Sequence, residues 1–185
     1  VFDELIETQD YDQTTLLNTT KKIFASDAST NNFILPKSIF SSKGSNSLEK
    51  KITYDFYDTK GNITQYTIEN GTPISIIWGY NNTLPIAKIE NATYSSIPAS
   101  TITNLQDLSN TGTEANLKVA LNNLRTSLPN AMITTYTHKP LVGVSTVTDP
   151  KGDLQSYHYD NFNRLQFVKD KDDKILSENQ YHYKN

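Results

Sequence analysis

The sequence predicts a mainly β protein: an antiparallel meander of β-hairpins in a twisted or coiled sheet, interrupted by a two-helix insertion near residues 96–128. Three observations predict it. One six-residue turn pattern occurs four times, as Asp58-Thr-Lys-Gly-Asn-Ile63, Asp149-Pro-Lys-Gly-Asp-Leu154, Asp160-Asn-Phe-Asn-Arg-Leu165 and Asp170-Lys-Asp-Asp-Lys-Ile175. The residues around these turns alternate with period two, the period of a strand. The composition, with 23 Thr, 11 Tyr and 19 Asn against one Trp and one Met, favours strands and turns over helices.

The turn pattern has a physical cause. An Asp that opens a turn accepts hydrogen bonds from backbone N–H groups further on. The fourth position, Gly61, Gly152, Asn163 or Asp173, suits the left-handed region, and such a residue commonly closes a short bulged hairpin. The apolar residue two places later starts the inward face of the returning strand. Tyr157 and Tyr159 are expected on one face and His158 on the other. Leu165, Phe167 and Lys169 are expected on one face, with Gln166 and Val168 on the other.

Earlier in the chain, residues 1–14 are polar and support at most a short strand. A β-prone run over residues 15–25 is followed by a turn at 27–31. A strand over 33–40 carries Pro36, which marks an edge or a break. Residues 48–57 read as a strand with Ile52, Tyr54 and Phe56 on one face and Thr53, Asp55 and Tyr57 on the other. Residues 63–69, then the Asn70-Gly71 hairpin signal, lead to residues 74–80, the most apolar and so the central strand. Residues 86–89 complete about seven strands before residue 92.

Between residues 95 and 129 the period changes. Pro98 suits a helix's first turn, with Ser96 as its capping candidate, and Thr113 can cap a second helix. Leu117, Leu121, Leu124 and Leu128 form a stripe, with Lys118, Asn122 and Arg125 off it. Such a stripe packs on the sheet; a partner-binding helix is the alternative. After Met132 the β-rhythm returns, with a corner at residues 139–143. The division expected is a hairpin array (1–92), the helical insertion (96–128) and turn-repeat hairpins (132–185) within one repeat-type domain.

Net charge is −3 and no apolar run reaches 18 residues, which argues against a nucleic-acid footprint and a membrane-spanning helix. Cysteine is absent, so disulfides and thiolate metal sites are excluded.

The pairs Tyr57-Asp58 and Tyr159-Asp160, with Gly61-Asn62 and Asn163-Arg164-Leu165 behind them, resemble the bacterial RHS/YD-repeat proteins. The segments Ile77-Trp-Gly-Tyr80 and Lys139-Pro-Leu-Val-Gly-Val144 are also similar to pieces that separate such repeats. The resemblance implies a segment of a large exported protein, at the bacterial cell surface or extracellular. There the repeats build a shell that encloses a C-terminal cargo, often a toxin. Its partners would be the remaining YD repeats or that cargo. The alternative is an adhesin-like module that binds glycans or a partner cell through exposed Tyr residues and Trp78.

Candidate chemistry is sparse, and no catalytic, cofactor-binding or metal-binding residue is assigned. His158 and His182 sit at equivalent repeat positions, which explains both without a metal. Asp170, Asp172 and Asp173 suggest calcium, but an EF-hand loop starting at Asp170 would need Gly and Glu where Ile175 and Tyr181 stand. Asp149-Pro150-Lys151-Gly152 matches a motif with which some family members cleave themselves. Val144 stands where that motif expects Pro and its downstream continuation is missing, so these residues read as a repeat turn. No Gly-x-Ser-x-Gly elbow or phosphate loop occurs. The expectation is a non-enzymatic structural segment. Its first and last residues, Val1 without a leader and Tyr181-His182-Tyr183 opening a further repeat, suggest a fragment of a longer chain with an exposed sheet edge.

Overall fold

In the computed structural model residues 6–181 are described. The fold is mainly antiparallel β, with two α-helices. Strands β1 (Glu7–Asp12), β2 (Thr15–Ala25), β3 (Leu35–Lys43), β4 (Glu49–Tyr57), β5 (Ile63–Ile68), β6 (Pro73–Gly79) and β7 (Leu84–Glu90) precede the helices α1 (Ala99–Thr111) and α2 (Glu114–Ser127). Strands β8 (Met132–Lys139), β9 (Gly143–Thr148), β10 (Leu154–Tyr159), β11 (Leu165–Lys169) and β12 (Ile175–Glu178) follow. Hydrogen bonding runs in sequence order from β1 to β12. By compactness the chain divides into residues 1–75 with 91–94, and residues 76–90 with 95–185. That boundary falls inside β6.

The first unit is a hairpin array with little apolar core. Its buried side chains are mostly hydroxyls and amides, among them Thr19, Thr30, Ser38, Ser42, Thr64 and Gln65, with Ile74 as the buried aliphatic residue. Such groups must be hydrogen-bonded. Thr64 donates to the Phe56 carbonyl, and the Gln65 side chain donates to Asp55 and accepts the Tyr94 N–H.

Several strands carry bulges, and these change what side-chain alternation predicts. In β4 the register with β5 shifts on both sides of Phe56. Tyr54 and Tyr57, expected on opposite faces, therefore come together with ring centroids 6.3 Å apart, while Phe56 is exposed. Pro36 lies in β3, between β2 and β4 in the order and so not on an edge strand. It is tolerated because β2 bulges at Ile23/Phe24 beside it and pairing with β4 begins only at Ser38. The turn expected at residues 27–31 is a 3₁₀ turn, Ala28–Thr30, closed by a reciprocal capping box between Asp27 and Thr30.

The second unit holds the apolar core. Ile77, Ile86, Ala87, Ile89 and Ile133 of β6–β8 are buried with Ile102 and Leu105 of α1 and Leu117, Leu121 and Leu124 of α2. The leucine stripe is therefore core, as its spacing implies. Contact is close enough that a β-carbon at Gly79 would stand 2.5 Å from Ser109 Oγ and 2.7 Å from Ile86 Cγ2. Thr113 caps α2 by accepting the Asn116 N–H. Ser96 does not cap α1: Pro98 occupies the cap position without a side-chain bond, and Ser96 belongs to a short 3₁₀ turn.

Arg125, which lies off the leucine stripe, donates from Nη1 to the carbonyls of Ile133 (2.6 Å) and Asp149 (2.8 Å). It thus ties α2 to β8 and to a turn of the repeat block. Burial pulls its pKa below the ordinary guanidinium value, and nearby Asp149 opposes that shift.

In the repeat block Val168 is buried and Leu165 half-buried, whereas Ile175, expected to face inward, is exposed. The cause is position: β12 is last in the sheet order and pairs with β11 alone. Tyr181 follows β12 outside any strand, and its hydroxyl donates to the Leu165 carbonyl. His182 and Tyr183 lie outside the described residues.

Candidate functional site

The four turns share one hydrogen-bond set. In each, the Asp N–H donates to the carbonyl four residues on: Asn62, Asp153, Arg164 and Lys174, at 2.8–3.1 Å. The N–H of the fourth residue returns to the Asp carbonyl. The Asp Oδ1 accepts two more N–H groups, two and four residues on, as in Lys60 and Asn62 for Asp58. The pairs for Asp149, Asp160 and Asp170 are Lys151/Asp153, Phe162/Arg164 and Asp172/Lys174. Gly61, Gly152, Asn163 and Asp173 have φ of 82°, 89°, 60° and 61°, the left-handed values expected. The residues 68–72 turn copies the backbone pattern with Ile68 in place of Asp, and there the Asn70 side chain accepts the Thr72 N–H.

The tyrosine that precedes the Asp has its own task. Tyr57 Oη donates to the Pro36 carbonyl and Tyr159 Oη to the Val144 carbonyl, in each case on the preceding neighbour strand. The Tyr-Asp pair thus couples a turn to a strand anchor. Burial pushes the Tyr57 hydroxyl up to about 12 and raises that of Tyr159.

These bonds also place the residues considered for chemistry. Asp149 and Asp170 spend Oδ1 on their own turns, as the other two copies do. Asp173 stands 3.9 Å from Lys169. His158 stacks on Phe167, centroids 4.6 Å apart, and bonds Ser156; His182 lies outside the described residues. Among the described residues no three His, Asp or Glu side chains gather as a metal site. Trp78 is half-buried, and its carbonyl accepts the Gln106 side chain. The more exposed aromatic surface is elsewhere: Phe162 is 74% exposed, with the Arg164 guanidinium 5.2 Å from its centroid and 4.2 Å from that of Tyr181.

A groove in the second unit brings together residues that sequence reasoning left apart. It has a volume of about 800 Å³ and three walls. One wall is the β6–β7 turn with Tyr80 and Leu84. The second is the β8–β9 corner with His138, Pro140 and Leu141. The third is the α1–α2 junction with Leu108, Gly112, Glu114 and Leu117. Polar side chains of α1 hold the first wall: Ser109 Oγ accepts the Tyr80 N–H, Asn110 accepts the Asn81 N–H, and Gln106 donates to Asn82. Tyr80 Oη accepts the His138 N–H at 2.9 Å, and its ring meets the His138 ring edge-on. His138 Nε2 lies 2.8 Å from the Pro85 carbonyl, so that nitrogen carries the proton. Burial raises the Tyr80 hydroxyl above its ordinary value; the His138 N–H opposes this and the Glu114 charge adds to it. Glu114 Oε1 accepts the Thr137 and Ser145 hydroxyls, both at 2.8 Å.

The groove can hold an apolar group beside one carboxylate; no nucleophile and base are paired in it. Asn81-Asn82 after Gly79-Tyr80 was a readable signal for a left-handed loop. Nothing in the residues around Leu141 signalled an exposed leucine.

No family model and no curated protein matches the chain. Among solved structures it is similar to the crystal structure of TcdB2-TccC3 without its hypervariable C-terminal region, at a TM-score of 0.48 and 9% identity over 89% of this chain. It is likewise similar to the crystal structure of TcdB2-TccC3-Cdc42, at a TM-score of 0.47 and 10% identity over 91%. The chain spans 8% of the length of either of those chains.

Proposed function

We propose that the chain is a structural segment of a YD-repeat shell of a bacterial exported or surface protein, whose larger chain encloses or presents a C-terminal cargo such as a toxin. The observation that carries this is the repetition of one bonded unit: four Asp turns with the same bonds, at hairpins of a sheet paired in sequence order. A unit reproduced this closely serves geometry, since each copy sets the bend and register of the next hairpin. The partners of such a segment are the neighbouring repeats and the cargo, and it carries no catalysis. None of the described helices is long and apolar enough to cross a membrane.

The test is protease protection in the natural full-length product. The region after the repeats should resist digestion until urea opens the sheet. Digestion of that region at the same rate in the intact and the opened protein would refute the cargo role. The adhesin reading is favoured by one observation, the Phe162–Arg164–Tyr181 stack with its exposed ring. Glycan-array binding that disappears in Phe162→Ala would establish it in place of the shell reading.

A further inference from the structure

Backbone strain in this chain concentrates at the groove. Ten described residues other than glycine have positive φ; seven of these are Asn or Asp, which tolerate it, and an eighth is Gln13 in the β1–β2 turn. The other two are Tyr80 (φ 50°) and Leu141 (φ 64°). They belong to different turns, 61 positions apart in the chain, yet both line the same groove. Such outliers persist where the surroundings hold them, and they cluster at functional sites. Tyr80 is held by the His138 N–H and the α1 side chains. Leu141 is 106% exposed, so packing does not hold it, and at the groove it combines an exposed apolar side chain with a backbone conformation unusual for leucine.

We propose that this groove docks a polypeptide segment of another chain, with an apolar side chain against Leu84 and Leu108, above the buried Leu117, and a basic side chain at Glu114. Two features choose this occupant. Leu141 lines the groove yet is fully exposed, so an occupant that covers it must extend beyond the groove, as a polypeptide does. Glu114 is the one formally charged residue of the lining; its side chain is 41% exposed and Lys118 stands 4.0 Å away. The carboxylate uses Oε1 for two hydroxyls and has Oε2 to offer a cation. The groove's volume exceeds one side chain and suits a stretch of a few residues. This site goes beyond the scaffold role and does not depend on it.

The experiment pans a displayed random-peptide library against the 185-residue chain and measures the enriched peptides by fluorescence anisotropy. Enriched sequences should pair Leu, Ile, Met or Phe with Lys or Arg one or two positions away. Leu141→Gly should weaken their binding at least tenfold while raising Tm by about 2 °C, because glycine relieves the backbone. A merely structural Leu141 would not move the two readouts in opposite directions. Glu114→Gln should weaken the basic peptides tenfold and leave their Lys-to-Ala versions unchanged. Failure to enrich any consensus, an acidic consensus, or affinities indifferent to both substitutions would overturn the proposal. So would self-association in sedimentation that Leu141→Gly abolishes, since a second copy would then be the occupant.

Discussion

Gly143→Ala should be among the most damaging small substitutions in this chain, because the Tyr159 ring packs directly against Gly143. A β-carbon on Gly143 would stand 2.9 Å from Tyr159 Cζ and 3.2 Å from Cε1, with the hydroxyl oxygen nearer still. The β9–β10 register, Ser156 opposite Thr146 and Leu154 opposite Thr148, brings Tyr159 across to Gly143. The tyrosine is not free to swing away, because Oη donates to the Val144 carbonyl at 2.9 Å. Overpacking costs about 1–3 kcal/mol, and the displaced hydrogen bond adds about 0.5–1.5 kcal/mol. Together these give roughly 2–4 kcal/mol, a Tm loss on the order of 5–15 °C for a chain of this size. Tyr159→Phe alone should cost only the bond. In the double variant the closest clashing atom is gone, so its loss should be smaller than the sum of the singles by about 1 kcal/mol or more. Urea denaturation followed by circular dichroism measures all four proteins. Additivity within about 0.5 kcal/mol would refute the claim that Gly143 exists to admit this ring.

Other outcomes are as specific. Gly61→Val and Gly152→Val should each cost about 1–2 kcal/mol from backbone strain alone, since a β-carbon there meets nothing nearer than Leu35 Cδ1 at 3.7 Å; Gly61→Asn should be nearly silent in the same melt, and equal losses for Val and Asn would contradict the turn geometry. Leu121→Ala, at 2% exposure, should lower stability by about 2–5 kcal/mol, and an unchanged urea midpoint would remove α2 from the core. Asp160 is held below its ordinary value of 3.8 by the Arg164 hydrogen bond and by the N–H groups it accepts. The stability it contributes is present above pH about 4 and is lost as pH falls through its lower folded value. Tm against pH should therefore drop more steeply below pH 4 in the wild type than in Asp160→Asn. The Tyr57 hydroxyl, raised by burial to about 12, favours folding fully below pH about 10, its unfolded value, and loses that contribution towards pH 12. Tyr57→Phe should remove one late-ionising tyrosine from an ultraviolet titration.

The repeat turns were the most legible feature of the chain. Each is closed by bonds within five residues, so an Asp and a residue tolerant of positive φ suffice to specify it, and the left-handed values at Gly61, Gly152, Asn163 and Asp173 follow. The leucine stripe of α2 was legible because helical period survives in one dimension. Side-chain faces in β4 were not, because the register shifts around Phe56 reverse the alternation that the residues suggest. The cap of α1 was misread for a similar reason: Ser96 has the right chemistry, but a 3₁₀ turn takes it away from the helix end. Beyond the Asn81-Asn82 turn the groove had no signature, since its lining comes from three separated stretches and its most telling member is an ordinary leucine.

The sequence by itself determined the local grammar: hairpins, their turns and the two helices, set by interactions between near neighbours or by strict periodicity. Only the tertiary structure decided where the apolar core lies. The first unit buries mainly hydroxyls and amides, while nearly all the buried aliphatic side chains sit where α1 and α2 cover β6, β7 and β8. A single sheet leaves a face in water, and a second layer must come from elsewhere in the chain. Which strands receive that layer depends on close approaches such as Gly79 to Ser109 and on Arg125 reaching the carbonyls of Ile133 and Asp149. Those partners lie 8 to 30 positions apart, and no pattern of hydrophobicity along the chain encodes their meeting.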